Sequence, residues 1–128
     1  IGSRAVPFGV DEELNLIPYH DYNLKVGTSE SDGGPYFGVL GIEGTSNAST
    51  YRRLIENGSD RDIFINDIIP KATGNMVGPT EQGIDNRLRR DDCPFPDVDY
   101  GEDCRRVMLV IVYEDLAHSV KVKGFAYF

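Results

Sequence analysis

The densest collection of groups able to do chemistry lies between Arg90 and Cys104, RDDCPFPDVDYGEDC. Asp97, Asp99, Gly101 and Asp103 follow the pattern D-x-D-x-G-x-D, with Asp92 and Glu102 beside them. Closely spaced carboxylates on a turn suit Ca²⁺, a hard cation that takes about six to eight oxygen ligands. The spacing departs from an EF-hand loop, because glycine stands where the third oxygen ligand belongs and no glutamate follows at the twelfth position. Asp97, Asp99 and Asp103 are the candidate metal ligands and calcium is the candidate ion. The plainer reading is a solvated acidic loop balanced by Arg87, Arg89, Arg90, Arg105 and Arg106. No other cofactor is expected, since phosphate-loop and dinucleotide patterns are both missing from the sequence.

The remaining reactive residues do not assemble into a catalytic pattern. His20 sits in Pro-Tyr-His-Asp and His118 in Leu-Ala-His-Ser, with no G-x-S-x-G turn to carry a nucleophile. Both read as exposed loop histidines, and the chain is read as a non-enzyme. Cys93 and Cys104 stand at opposite ends of the acidic loop, without Cys-x-x-Cys spacing for redox work or a neighbouring histidine for zinc. Tyr19, Tyr22, Tyr36 and Tyr51 offer flat rings with polar tips, as a sugar-binding face does; core edges are the plainer use. Asn47 and Asn57 match the glycosylation sequon, but Asn47 is better placed to cap a helix.

The elements that must position these groups follow from spacing. Residues 1–20 read as irregular, with Val6–Val10 at most adding to a sheet edge, where Pro7 is tolerated. Tyr22–Val26 alternates as a strand, and Asp32-Gly33 signals a turn. Tyr36–Ile42 is strand-like, with Gly38 and Gly41 as bulge or close-approach positions. Thr45–Asn57 predicts a helix with Ala48, Tyr51, Leu54 and Ile55 on its apolar face and Gly58 as its stop. Asp62–Ile65 and Asp67–Ile69 predict one or two short strands ended by Pro70. A second helix runs from about Pro79 to Arg89, with Ile84 and Leu88 as its apolar face. Arg106–Glu114 is β-branched and unbroken, as in a strand buried on both faces. Val120–Phe128 pairs antiparallel with it, Val120, Val122, Ala126 and Phe128 sharing one face. The sum is a single α+β domain, rich in β: about six short, mostly antiparallel strands in a small barrel or sandwich, with two short helices.

Composition bounds the partners. The chain has 128 residues, with 21 acidic against 13 basic side chains and a formal charge of −8. Such a surface repels nucleic acid and anionic lipid. No run of apolar residues is long enough to span a membrane. The chain opens on Ile1 rather than methionine, so it is expected to be a processed or excised piece.

Residues 74–88, GNMVGPTEQGIDNRL, resemble the pGN–GPT–qGid–RL signature of the TadE/TadG-like family, the extracytoplasmic domains of Flp-type (tight-adherence) pilus-assembly proteins of bacteria. A second block is similar to the family's GNFGaLdl.G.ga..Y...I..G pattern: Gly34–Leu40, Gly44–Tyr51 and Ile55–Gly58. The resemblance covers roughly residues 21–128. It implies an extracytoplasmic, cell-surface domain without catalysis, held through a membrane anchor outside this chain and working by contact with other pilus or surface proteins. In that setting Cys93 and Cys104 are expected to form a disulfide, worth roughly 2.5–3 kcal/mol for so short a loop. The alternatives are a calcium- or ligand-binding surface module and a filament-forming structural subunit that self-associates through its last strand.

Overall fold

The computed structural model describes residues 5–14, 37–42, 47–72, 77–89 and 107–128. In chain order they form β1 (Ala5–Asp11), β2 (Phe37–Val39), α1 (Ala48–Asn57), β3 (Ile68–Pro70), α2 (Val77–Arg89), β4 (Leu109–Asp115) and β5 (Ser119–Tyr127). The fold is α+β, and the described residues form five strands in a curled, mixed sheet and two helices. The strand order is β2-β1-β4-β5-β3. The β1–β4 pair is parallel, and the other three pairs are antiparallel. The expected strand at Tyr22–Val26 lies outside the described residues.

β4 is central, as its unbroken apolar run predicts. Val110 belongs to one buried cluster and Ile111 and Tyr113 to another, so both faces of the strand are covered. Its hairpin with β5 turns at Leu116–His118, where the Asp115 carboxylate accepts from the Ala117 N–H at 2.9 Å. Ala117 itself adopts a φ of 77°. A register shift opposite Val112/Tyr113 then flips the alternation along β5. Val120 and Val122 face one cluster, while Phe128 packs against the other. Contrary to expectation, Ala126 and Phe128 therefore do not share the face of Val120 and Val122; Phe125 and Tyr127, opposite Ile111 and Leu109, continue it instead.

β1 corrects the reading of the first twenty residues. Every residue of Ala5–Asp11 is buried, and the strand lies between β2 and β4 rather than at an edge. Pro7 faces β2, where its missing N–H forgoes one ladder bond toward Leu40; the register with β4 shifts between Ala5 and Gly9. The Pro7 carbonyl accepts from the Leu40 N–H at 2.9 Å. Gly9 opposes Gly38, and a Cβ on Gly9 would lie 2.5 Å from Leu40 Cδ1 and 2.8 Å from the Tyr113 ring. Only glycine fits there.

α1 begins at Ala48, three residues after the expected start at Thr45. The Asn47 side chain accepts from the N–H groups of Ser49 (2.8 Å) and Thr50 (3.3 Å), as a helix cap should. Gly58, at φ 80°, ends the helix, and its N–H donates to Leu54 O at 2.8 Å. Tyr51, Leu54 and Ile55 are the buried face. Tyr51 therefore belongs to the core and not to a sugar-binding surface; Tyr19, Tyr22 and Tyr36 lie outside the described residues.

α2 packs on α1 through small residues. Thr80 and Gly83 are its buried positions, whereas Leu88 is exposed. A Cβ on Gly83 would meet Ile55 Cδ1 at 2.8 Å and Ile55 Cβ at 3.0 Å, so the two helices touch at that glycine. The Tyr51 hydroxyl and Thr80 Oγ1 are 2.6 Å apart in the same interface. Arg87 donates to Ile55 O (2.7 Å) and Val107 O (2.8 Å), tying the end of α1 to the lead-in of β4.

Candidate functional site

The curl of the sheet brings the end of β2 against the end of β3. Leu40 and Lys71 form an antiparallel bridge. The Gly41 N–H donates to Pro70 O at 2.7 Å, and the Ala72 N–H donates to Val39 O at 3.2 Å. The ladder stops there for a covalent reason. The next bond would run from the nitrogen of residue 70 to the Gly41 carbonyl, and proline has no N–H.

Below that point the seam parts into a pocket of about 280 Å³, with Gly41 and Ile42 on one wall and Asp67–Pro70 on the other. Ser59, Arg61, Asp62 and Ile63 complete the lining. Ser59 is buried and structural: its N–H donates to Ala5 O at 2.8 Å, and its Oγ accepts from the Arg61 N–H at 3.1 Å. Asp67 Oδ2 accepts from the Phe64 N–H at 2.9 Å, closing a turn in which Asn66 takes a φ of 78°. That turn replaces the strand expected over Asp62–Ile65. It leaves Phe64 63% and Ile65 51% exposed, and Ile68 on β3 is 57% exposed. Three large apolar side chains thus stand in solvent beside a pocket whose charged groups are Arg61, Asp62 and Asp67.

The neighbouring Lys71–Asp115 ion pair, 2.8 Å, fixes the upper end of the seam to the β4–β5 hairpin. The hydrogen bond from Lys71 holds the Asp115 carboxyl below its usual range, aided by the Ala117 N–H and opposed by partial burial. In the helix pair, burial pushes the Tyr51 hydroxyl up to about 12, with the Thr80 bond opposing.

Asp97, Asp99, Asp103, Cys93, Cys104 and His20 lie outside the described residues. His118 is exposed in the β4–β5 turn, where its backbone N–H donates to Leu116 O at 3.1 Å. Among the described residues no group of His, Cys, Asp and Glu is placed to hold a metal. No described helix is long and apolar enough to cross a membrane. The seam was not read from the sequence. Its one local signal is Pro70 at the end of an apolar strand, and that residue's role depends on Gly41, which a residue-by-residue reading does not place opposite it.

Comparison of the chain with protein-family models, with curated proteins and with solved structures finds no match.

Proposed function

We propose that this is a non-enzymatic domain of the bacterial cell surface that works by contact with other pilus or surface proteins. The resemblance of residues 74–88 to the TadE/TadG-like signature suggests the setting. The observation that supports the mode of action is the cluster of Phe64, Ile65 and Ile68, each more than half exposed, at one end of the sheet. Large apolar side chains gathered in solvent beside a rim of charge are the usual mark of a protein-contact surface. Their placement argues for recognition, because the pocket they flank offers carboxylates and a guanidinium without a nucleophile paired to a base.

The test replaces Phe64 and Ile68 together by aspartate in the full-length gene product, expressed in the bacterium that carries it. Surface filaments are counted by electron microscopy, and exposure outside the cytoplasm is read by protease accessibility in intact cells. The expected result is a folded, exported variant with filaments and surface attachment lost. Unchanged filaments at wild-type protein levels, or a product confined to the cytoplasm, overturn the proposal.

A further inference from the structure

We propose that the parted seam between β2 and β3 accepts an added strand: an extended peptide segment of another protein, apolar in alternate positions and basic between them. The inference concerns how the surface above binds, and it does not depend on the cellular role assigned to the domain.

The backbone makes the first argument. In the β3–β5 pair, the Lys71 N–H donates to His118 O at 3.2 Å and the Val122 N–H donates to Asp67 O at 2.9 Å. Alternation then turns Ile69 toward β5 and turns Ile68 and Pro70 outward. The outward Pro70 carbonyl is the one that accepts from Gly41. One step further along, the Ile68 N–H and C=O point into the seam, and the Gly41 carbonyl faces the nitrogen of Pro70, which cannot answer it. Among the described residues nothing bonds these groups. The Ile68 donor and acceptor on the β3 edge are what an incoming extended chain pairs with.

Size and charge make the second. The space, about 280 Å³, is partly open to solvent rather than enclosed. Ile42, Ile63, Ile68 and Ile69 are among its lining, and the exposed Phe64 and Ile65 follow Ile63 in the chain. Of the charged residues that line it, Asp62 and Asp67 stand against Arg61. A basic peptide is attracted there. A second copy of this chain, at −8, is repelled.

The experiment titrates the ¹⁵N-labelled protein with a capped peptide of about seven residues alternating valine and lysine, the length of an ordinary strand. Two controls are the valine/glutamate analogue and a valine/lysine peptide N-methylated along its edges. Backbone amide shifts and hydrogen exchange are read together. The expected result is that the valine/lysine peptide shifts Gly41, Ile68 and Ile69 and slows exchange at Ile68 about tenfold or more. Both controls should bind at least about tenfold more weakly. Ile68→Pro, which removes the outward donor at an edge position, should lose binding. Asp62→Lys should reverse the preference toward the glutamate peptide even if the proline variant fails to fold. The proposal is overturned by equal binding of the N-methylated peptide, by shifts mapping elsewhere, or by no binding at millimolar peptide. Slow exchange at Ile68 that depends on protein concentration without peptide would identify a second copy as the occupant and also overturn it.

Discussion

Replacing Tyr51 by phenylalanine should weaken the protein at neutral pH and strengthen it in alkali. At neutral pH the ring keeps its edge-on contact with Phe8, 6.4 Å between centroids, so packing is preserved. What is lost is the 2.6 Å bond to Thr80 Oγ1. Thr80 is only 8% exposed, so its hydroxyl is left without a partner, at a cost of about 1–2 kcal/mol. Thr80→Val should cost about the same by stranding the Tyr51 hydroxyl, and the double variant should lose clearly less than the two singles combined, a coupling of about 1 kcal/mol. Urea unfolding at constant m-value measures all three. The alkaline limb has the opposite sign. The folded state holds the Tyr51 proton to about 12, against an ordinary value of 10.0. Between those values the unfolded chain binds fewer protons, so wild-type stability falls with rising pH by roughly 2–3 kcal/mol in all, and Tyr51→Phe lacks that loss. The two stability curves should therefore cross near about pH 11. Curves that run parallel from pH 9 to 12, or a coupling below about 0.3 kcal/mol, would refute the hydrogen-bonded, buried tyrosine as the tie between the helices.

Three further outcomes follow from the same geometry. Gly83→Val should destabilise by about 1–3 kcal/mol in urea unfolding, because a Cβ there lies 3.0 Å from the Ile55 Cβ, which cannot swing away; a neutral change would mean the helices do not meet at that glycine. Pro70→Ala supplies an N–H opposite the Gly41 carbonyl, a gain of about 0.5–1.5 kcal/mol set against about 0.4–1 kcal/mol of lost chain restriction. Stability should stay within about 1 kcal/mol, while the amide introduced at position 70 exchanges slowly and the seam closes by one bond; a fast-exchanging amide contradicts the account of why the ladder stops. Lys71→Met should cost less than about 1 kcal/mol at neutral pH, since Lys71 and Asp115 are 21% and 43% exposed. The Asp115 carboxyl is depressed in the folded state, so that contribution is present above its ordinary value of 3.8 and lost as pH falls through the lower folded one; acid unfolding curves of variant and wild type should merge there.

The sequence was most legible where the cause of a structure is local. Asn47 caps α1 because its own side chain reaches the N–H groups of Ser49 and Thr50 in the first turn, and Gly58 stops the helix because glycine takes φ 80° without strain. β4 declares itself by an apolar run that serves two faces, and β5 pairs with it because the connection is short. It was least legible where a residue's role is decided by something distant in the chain. Pro7 and Gly9 look like marks of an irregular edge, yet they sit in the middle of the sheet. Gly9 is needed because Leu40 and Tyr113 crowd it from both sides, and Pro7 gives up one bond toward Leu40 while its carbonyl still accepts from the Leu40 N–H. Of the pair that hydropathy picks as the contact face of α2, Ile84 does pack against the core while Leu88 is exposed, and close helix approach adds Thr80 and Gly83, whose value is their small size. Phe64 and Ile65 look like strand because they are apolar and lie beside β-branched neighbours; the turn that Asn66 and Asp67 build carries them into solvent instead.

Pro70 joins the two kinds of case. As the end of a strand it is plain in the sequence, because its ring forbids the next ladder bond. What that ending does is visible only once the sheet has curled far enough to set Gly41 against it. An ordinary residue at position 70 would add one more bond to the β2–β3 ladder. With proline there, closure halts after Leu40 and Lys71, and the edge beyond keeps its donor and acceptors. The apolar residues that failed to become strand, Phe64 and Ile65, flank that same opening. An edge left open costs a protein solubility unless it is blunted by charge or kept for a partner. Asp62 and Asp67 supply the charge, and their sign turns away other copies of this acidic chain while favouring a basic strand.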